Sequence, residues 1–332
     1  MKNITLVDTT LRDGSHAVRH SFTVEQTAAI AGALDAAGVP MIEVSHGDGI
    51  GGSSFTYGFS KADEYELIKT ARQSVRNSKI AVLLLPGIGT IEDLKRAREC
   101  GAEAVRVATH VTEADVSAEH IKAAKEMGLF AVGFLMMAHM ATPERIAEEA
   151  KKMEEYGADY INLADSAGYL MPDDVAVRIA AVKNAVHIPV GFHAHNNLGM
   201  AIANSLKAVQ EGADYIDGTL CGLGAGAGNT QMEVLVGVLQ RNNLYSGVDF
   251  YGVQDAARNL VEPIMQRPQV INTETMMLGY AGVYSSFLLH VKDAAEKYKL
   301  EARDILTELG NRKMIGGQED MIMDVAYQMT HL

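Results

Sequence analysis

Residues 143–166 read PERIAEEAKKMEEYGADYINLADS, and the architecture follows from reading this unit. Its first half carries Ile146, Ala150 and Met153 at helical spacing, Gly157 interrupts, and 160–166 is a short apolar run of strand type. Working outward, the same junction recurs as Ala37-Gly38-Val39, Cys100-Gly101-Ala102, Met127-Gly128-Leu129 and Glu211-Gly212-Ala213. A residue just past a helix end often takes a positive φ, where only glycine escapes a steric penalty, so the recurrence marks one turn built repeatedly. Strands are predicted over 4–10, 41–46, 79–85, 104–110, 130–137, 160–166, 189–195 and 215–222, alternating with helices that include 23–37, 91–100, 118–127, 143–156, 171–182 and 201–210. Alternation at this length implies parallel pairing, and eight units close into an α/β (β/α)8 TIM barrel more readily than into an open doubly wound sheet, which spacing alone leaves open.

After residue 242 the alternation stops, and 253–265, 281–298, 302–310 and 320–331 read as helices. The expected domains are a catalytic barrel over 1–262 and a C-terminal helical domain over 263–332. Apolar residues of the tail, among them Phe287, Leu288, Val291, Ala294, Ala295, Met321, Met323, Val325 and Met329, either pack onto the barrel or form a partner surface.

The 332 residues are 48% hydrophobic and 21% charged, ordinary for a globular chain with a sizeable core. A net charge of −13 without a Lys/Arg cluster repels phosphate backbones and anionic lipid heads, which argues against nucleic-acid partners. No apolar run approaches the roughly 20 residues a membrane span needs. With Cys100 and Cys221 as the two cysteines and an N-terminus that reads directly into a strand, the expected location is a reducing cytoplasm.

In such a barrel the chemistry belongs at the C-terminal strand ends. Strand 1 ends in Thr9-Thr10-Leu11-Arg12-Asp13-Gly14-Ser15-His16, and strand 7 in His193-Ala194-His195-Asn196-Asn197. Residues two apart on a strand share a side, so His193 and His195 can face one point. Asp13 completes a two-His, one-carboxylate set that leaves positions open for substrate and suits Mn2+, with Co2+, Zn2+ or Mg2+ as alternatives. Arg12 reads either as a site cation or as an ion-pair partner of Glu43 or Asp165. His46 and His110, at the ends of strands 2 and 4, point toward the site without an assigned role. The stretch Gly222-Leu223-Gly224-Ala225-Gly226-Ala227-Gly228-Asn229 stands too late for a dinucleotide fingerprint and reads as a substrate-side loop, with Asn229 a candidate near the metal. Ser166, closing strand 6, is a further candidate.

Thr10-Leu11-Arg12-Asp13-Gly14 together with His193-Ala194-His195-Asn196 resembles the metallolyase superfamily that includes hydroxymethylglutaryl-CoA lyase, isopropylmalate synthase and 4-hydroxy-2-oxovalerate aldolase. His16, where the condensing synthases typically carry glutamine, and Leu83-Leu84-Leu85-Pro86-Gly87-Ile88-Gly89 look like the aldolase branch; the resemblance covers essentially the whole chain, including 279–287. It implies that Asp13, His193 and His195 bind Mn2+, that Arg12 stabilises an enolate, that His16 is the catalytic base, that Tyr284 helps position substrate, and that Asn229 joins the metal in some relatives. It further implies cleavage of a 4-hydroxy-2-oxo acid to pyruvate and acetaldehyde or another short aldehyde in meta-cleavage degradation of aromatic compounds, with the aldehyde channelled to an acylating acetaldehyde dehydrogenase. A Tyr284 acting at the site makes the tail part of it. A Schiff-base route is disfavoured, because the predicted strands hold only Lys79, at the wrong end of the barrel. The rival readings are an acyl-CoA lyase or condensing synthase, and a non-catalytic scaffold for a dehydrogenase.

Overall fold

Eight parallel strands follow one another around a closed barrel in chain order in the computed structural model, which describes residues 4–331. The outermost positions of the two expected domains, 1–3 and 332, lie outside the described residues. The strands are β1 Thr5–Asp8, β2 Met41–Glu43, β3 Lys79–Leu84, β4 Ala104–His110, β5 Phe130–Met136, β6 Tyr160–Asp165, β7 Val190–Ala194 and β8 Tyr215–Gly218. Closure is parallel, with Thr5 opposite Tyr215 and Asp8 opposite Gly218. A short helix α1 (Gly14–Ala17) precedes α2 (Val24–Ala36), α3 (Glu64–Ser74), α4 (Ile91–Glu99), α5 (Ala118–Glu126), α6 (Pro143–Glu155), α7 (Pro172–Ala185), α8 (Ala201–Gln210), α9 (Met232–Arg241) and α10 (Phe250–Ala256).

The local rules that made these elements legible hold in space. Thr142 caps α6 by accepting from Arg145 N, with Pro143 in the first turn, where its missing N–H is not needed. The five junction glycines, Gly38, Gly101, Gly128, Gly157 and Gly212, all take positive φ between 76° and 105°.

Residues two apart share a face, so alternate strand positions line the barrel. Val7, Met41, Ala81 and Ala104 form an apolar floor, and Leu83, Ala108, Phe134 and Ala164 an apolar cluster nearer the mouth. On β4 the fully buried Arg106 stands between Ala104 and Ala108, and on β6 Asn162 stands between Tyr160 and Ala164. A polar band therefore crosses the middle of an interior that in most barrels is aliphatic.

Beyond α10 the chain makes α11 (Thr273–Ala281), α12 (Leu288–Tyr298), α13 (Ala302–Asn311) and α14 (Met321–Met329). α11 packs on α13 and α12 on α14. Their facing residues, including Phe287, Leu288, Val291, Ala294, Leu306 and Val325, make a core of their own, while Met321 stays exposed. The region is seated on the barrel mouth by few polar ties: Ser285 N and Oγ donate to Ser166 O at 3.1 and 2.6 Å, Asn197 Nδ2 donates to Ser285 Oγ at 2.8 Å, and His139 Nε2 meets Gly282 O at 3.1 Å.

Two tail predictions need correction. The segment 281–298 is not one helix: Gly282 ends α11 in the left-handed conformation (φ +68°), Tyr284 is non-helical, and α12 starts at Leu288. The segment 253–265 is α10 passing into a π-helical turn Ala257–Val261 and a 3-10 turn Glu262–Ile264. Pro263 in that last turn has no N–H to carry an α-helical ladder further. Among the described residues no helix is long and apolar enough to cross a membrane.

Candidate active site and metal centre

The loop after β1 is shaped by its own side chains. Asp8 accepts from Thr10 N and Thr10 Oγ1, both at 2.9 Å, which turns the chain as the strand ends; Thr10 Oγ1 also accepts from Leu220 N in the loop after β8. The turn brings Arg12 and Asp13, both buried, over the barrel mouth opposite β7. His193 lies within β7, whereas His195 lies one residue beyond it, in a bridge to Asn229.

Three donor atoms converge there. His193 Nε2 and His195 Nε2 are 3.3 Å apart, and Asp13 Oδ2 is 3.5 and 3.7 Å from them. Donors sharing a small divalent ion are themselves about 3–3.5 Å apart. The outer ring nitrogens both face acceptors: His193 Nδ1 meets Asp217 Oδ2 at 2.9 Å and His195 Nδ1 meets Ala225 O at 3.3 Å. Burial alone would lower His193, but Asp13 and Asp217 outweigh it and raise it. With both Nδ1 atoms on acceptors, each imidazole in its neutral form turns an Nε2 lone pair toward the other and toward a carboxylate. A bound cation relieves that repulsion, and the residues fit a divalent metal.

A closed circuit of buried charge supports the triad. Arg12 Nη1 donates to Asp13 Oδ2 (2.8 Å) and Arg12 Nε to Glu43 Oε2 (2.7 Å); Arg106 Nη1 donates to the same Glu43 oxygen (3.1 Å), and Arg106 Nη2 to Asp217, which returns to His193. Burial by itself would raise the Asp13 carboxyl, but Arg12 and the two imidazoles outweigh it and hold it well below the usual carboxylate range. Burial pushes His195 down to about 4, which keeps it neutral as a metal ligand must be. Arg12 Nη2 is buried and has no hydrogen-bond partner among the described residues. An unpaired buried guanidinium N–H is costly unless something arrives to accept from it.

His16 lies beyond Asp13 on α1, its Nε2 3.9 Å from Asp48 Oδ1. Gly47 makes that approach possible, since a Cβ there would come within 2.6 Å of the imidazole. His20 stacks on His46 at 3.7 Å, and His46 Nε2 meets Gly58 O at 3.1 Å, which gives His46 a loop-holding role. His110 Nδ1 pairs with Thr112 Oγ1 at 2.9 Å. The Tyr284 phenol is pushed up by burial and by the charges of Asp48 and Asp13. Ser166 Oγ accepts from Met137 N at 3.1 Å while its carbonyl anchors Ser285, so Ser166 holds the residue beside Tyr284. Asn229 Oδ1 is buried without a partner among the described residues.

Sequence reasoning missed Arg106 and Asp217. Their signal was present: a single charge inside the otherwise apolar runs AVRVATH and YIDG must be paired if those strands are buried on both faces. Two cavities open at this end of the barrel. One, of about 330 Å3, is bordered by His16, Ala225, Ser285 and Ser286; the other, of about 270 Å3, by Tyr284, Leu85, Ile88, His110 and Met136.

The HMGL-like family matches residues 3–261, and the DmpG-like communication domain matches residues 269–331. A 4-hydroxy-2-oxovalerate aldolase of Moorella thermoacetica is 63% identical over 99% of this chain and 97% of its own length, and one of Carboxydothermus hydrogenoformans 58% identical over 99% and 98%. In fold, the carboxyl transferase domain of Rhizobium etli pyruvate carboxylase superimposes with a TM-score of 0.81 at 19% identity, covering all of this chain and 61% of that one.

Proposed function

The chain belongs to the HMGL-like family, among the 4-hydroxy-2-oxovalerate aldolases, and from that membership we propose that it cleaves 4-hydroxy-2-oxovalerate, or a close 4-hydroxy-2-oxo acid, to pyruvate and acetaldehyde or another short aldehyde. It is a carbon–carbon lyase of the aldehyde-lyase type, and its family implies a divalent metal. The observation that carries the reading is the convergence of three lone-pair donors beside an unpaired buried N–H of Arg12.

In this reading Asp13, His193 and His195 hold the ion, Mn2+ by preference over Co2+, Zn2+ or Mg2+, with Asn229 Oδ1 a further donor. When bound, the ion supplies Lewis-acid polarisation of the substrate's 2-oxo group. His16 takes the C4 hydroxyl proton as the C3–C4 bond breaks, leaving the aldehyde carbonyl at C4. The bonding electrons pass to C3 and the C2 oxygen, where Arg12 Nη2 donates to the developing enolate oxygen. Protonation at C3 completes pyruvate. Glu43 and Asp13 fix the Arg12 guanidinium in advance, so the donor does not reorganise during the reaction. Tyr284 closes the site from the tail and orients substrate, and Ser166 positions Tyr284 through Ser285.

The cavity on the Tyr284 side, lined by Leu85, Ile88 and Met136 and by no cationic Lys or Arg, suits a small neutral aldehyde. It supports transfer to an acylating acetaldehyde dehydrogenase docked on the helical domain, 263–332, within meta-cleavage degradation of aromatic compounds. We place the enzyme in the cytoplasm and give it no nucleic-acid or membrane partner. Protein stripped with EDTA and restored with Mn2+ should release pyruvate from 4-hydroxy-2-oxovalerate, followed through lactate dehydrogenase, and Arg12→Ala should lose about 10²–10³-fold in kcat. Folded, metal-loaded protein that releases no pyruvate would overturn the substrate and favour acyl-CoA cleavage; silence on every oxo acid and thioester would favour a scaffold.

A further inference from the structure

A chain of net charge −13 opens its catalytic end through a mouth that has no carboxylate. The cavity of about 330 Å3 beside His16 carries Arg19, Arg267 and Lys292 on its wall, and none of its lining residues is Asp or Glu. The three cations come from separate parts of the chain: the turn after α1, the linker 265–269 and α12. Several other cations are neutralised by a carboxylate, as in Lys125–Asp159, Lys183–Asp214, Lys207–Glu211 and Arg312–Glu308. The side chains of Arg19, Arg267 and Lys292 form no ion pair among the described residues.

The backbone is bent to make this mouth. Arg19 and His20 take φ of 52° and 54°, consecutive left-handed residues that are not glycine, each costing on the order of 1 kcal/mol. The turn sends Arg19 to the exposed rim and His20 into the interior. Gln269 Nε2 donates to Gly224 O at 3.2 Å and pins the linker that carries Arg267 to the loop after β8. His16 lines the cavity, and its inner wall, Leu223–Gly226, rests against the triad through Ala225 N, which donates to Asp13 Oδ1 at 3.1 Å. The cavity on the Tyr284 side differs in charge: Leu85, Pro86, Ile88, Met136 and Met137 line it beside Tyr57, Thr109 and His110, and its charged lining residue is Glu113.

We propose that the cavity beside His16 is the loading port for the anionic 2-oxo acid, where Arg19, Arg267 and Lys292 offset the repulsion an acidic protein exerts on an anion, while the neutral aldehyde uses the other cavity. The port rests on the aldolase reading for its substrate. Its cause is local: cations at a concave rim raise the concentration of anion at the site, and salt screens them.

The test uses the metal-loaded full chain in the condensation direction, with pyruvate and propionaldehyde. In a variant carrying Arg19→Gln, Arg267→Gln and Lys292→Gln, KM for pyruvate should rise about tenfold at low ionic strength, and that for propionaldehyde should stay at the wild-type value. The difference should collapse near 1 M salt, where the Debye length is about 3 Å. Should the triple variant fold poorly, the Arg267→Gln, Lys292→Gln pair should still show about a threefold rise. Equal pyruvate KM and equal salt dependence in folded variants would overturn the port, as would a joint rise in both KM values. Oxalate binding by calorimetry separates the two readings: weaker oxalate binding in the variant of an inactive wild type keeps the port and removes the aldolase, and equal binding in an active enzyme removes the port alone.

Discussion

The barrel centre and the core of the helical tail are both buried, yet one is organised by charge and the other by hydrocarbon. At the barrel's centre Arg12, Glu43, Arg106, Asp217, His193 and Asp13 form a closed circuit, each member 5% exposed or less. The tail buries Leu278, Phe287, Val291, Ile305, Leu306 and Ile322 with no ion pair among them. Buried ion pairs contribute little net stability compared with apolar packing of the same volume, because desolvation consumes most of the attraction. The circuit is therefore explained by what it holds: the His193 imidazole oriented by Asp217, the Asp13 carboxylate kept ionised, and the Arg12 guanidinium with one N–H unpaired among the described residues. The tail's core has only to be packed.

Breaking each region should separate the two purposes. Arg106→Met strips a shared partner from Glu43 and Asp217 and leaves buried charge uncompensated, which should cost about 3–5 kcal/mol and weaken metal binding as Asp217 and Glu43 relax. Leu306→Ala should cost a comparable 2–5 kcal/mol by opening a cavity in the tail, and leave metal affinity at its wild-type value. Urea unfolding and Mn2+ titration of both variants check the contrast. An Arg106→Met protein that binds metal as tightly as the Leu306→Ala protein would mean that the circuit is scaffold only.

A smaller effect sharpens the same point. Asp217 fixes the His193 tautomer through Nδ1, so Asp217→Asn, which can offer its N–H to that nitrogen, should lower metal affinity about 10–100-fold with a modest change in stability. Unchanged affinity would show that β7 alone orients the ring.

The barrel was legible because its signals are local. Gly38, Gly101, Gly128, Gly157 and Gly212 announced the repeated turn, and the H-x-H spacing announced the paired imidazoles, since both depend on neighbours within a few residues; Asp13, far away in the chain, joined them through the rule that barrel strands end at one mouth and through the family resemblance. Of the two ion-pair partners offered for Arg12, Glu43 is the one it meets, while Asp165 instead accepts from Tyr169 N and Leu170 N. Arg106 and Asp217 escaped notice because their partners lie across the barrel, 63 and 111 residues apart in the first case's two bonds, where periodicity carries no information. The tail was read least well: Gly282 and the turn Ser285–Phe287 delay to Leu288 the helix that spacing started at 281, and α11, which spacing did not find, is too evenly apolar to show a helical stripe.

Between the two regions lies a seam, and its weakest point under acid should be His139. The ring stacks on Tyr169 at 4.8 Å and its Nε2 donates to Gly282 O at 3.1 Å, at the left-handed cap that ends α11. Burial, with like charge from Arg178 and His110, pushes His139 down to about 4 from an ordinary 6.5, so the folded protein refuses a proton that the unfolded chain accepts. Its contribution is complete above about pH 6.5 and is lost as the pH falls toward 4. His46, also lowered to about 4 by burial, adds to the same slope from the barrel side. His139→Gln keeps a donor for Gly282 O and removes the titration. The drop in Tm between pH 7 and pH 4.5 should therefore shrink by a few degrees, and cleavage in the linker 265–269 by a protease active in acid should rise less on acidification than in the wild type. If the variant and the wild type lose stability along the same pH curve, the barrel and the tail are joined by packing alone, and the seam has no acid-sensitive tie.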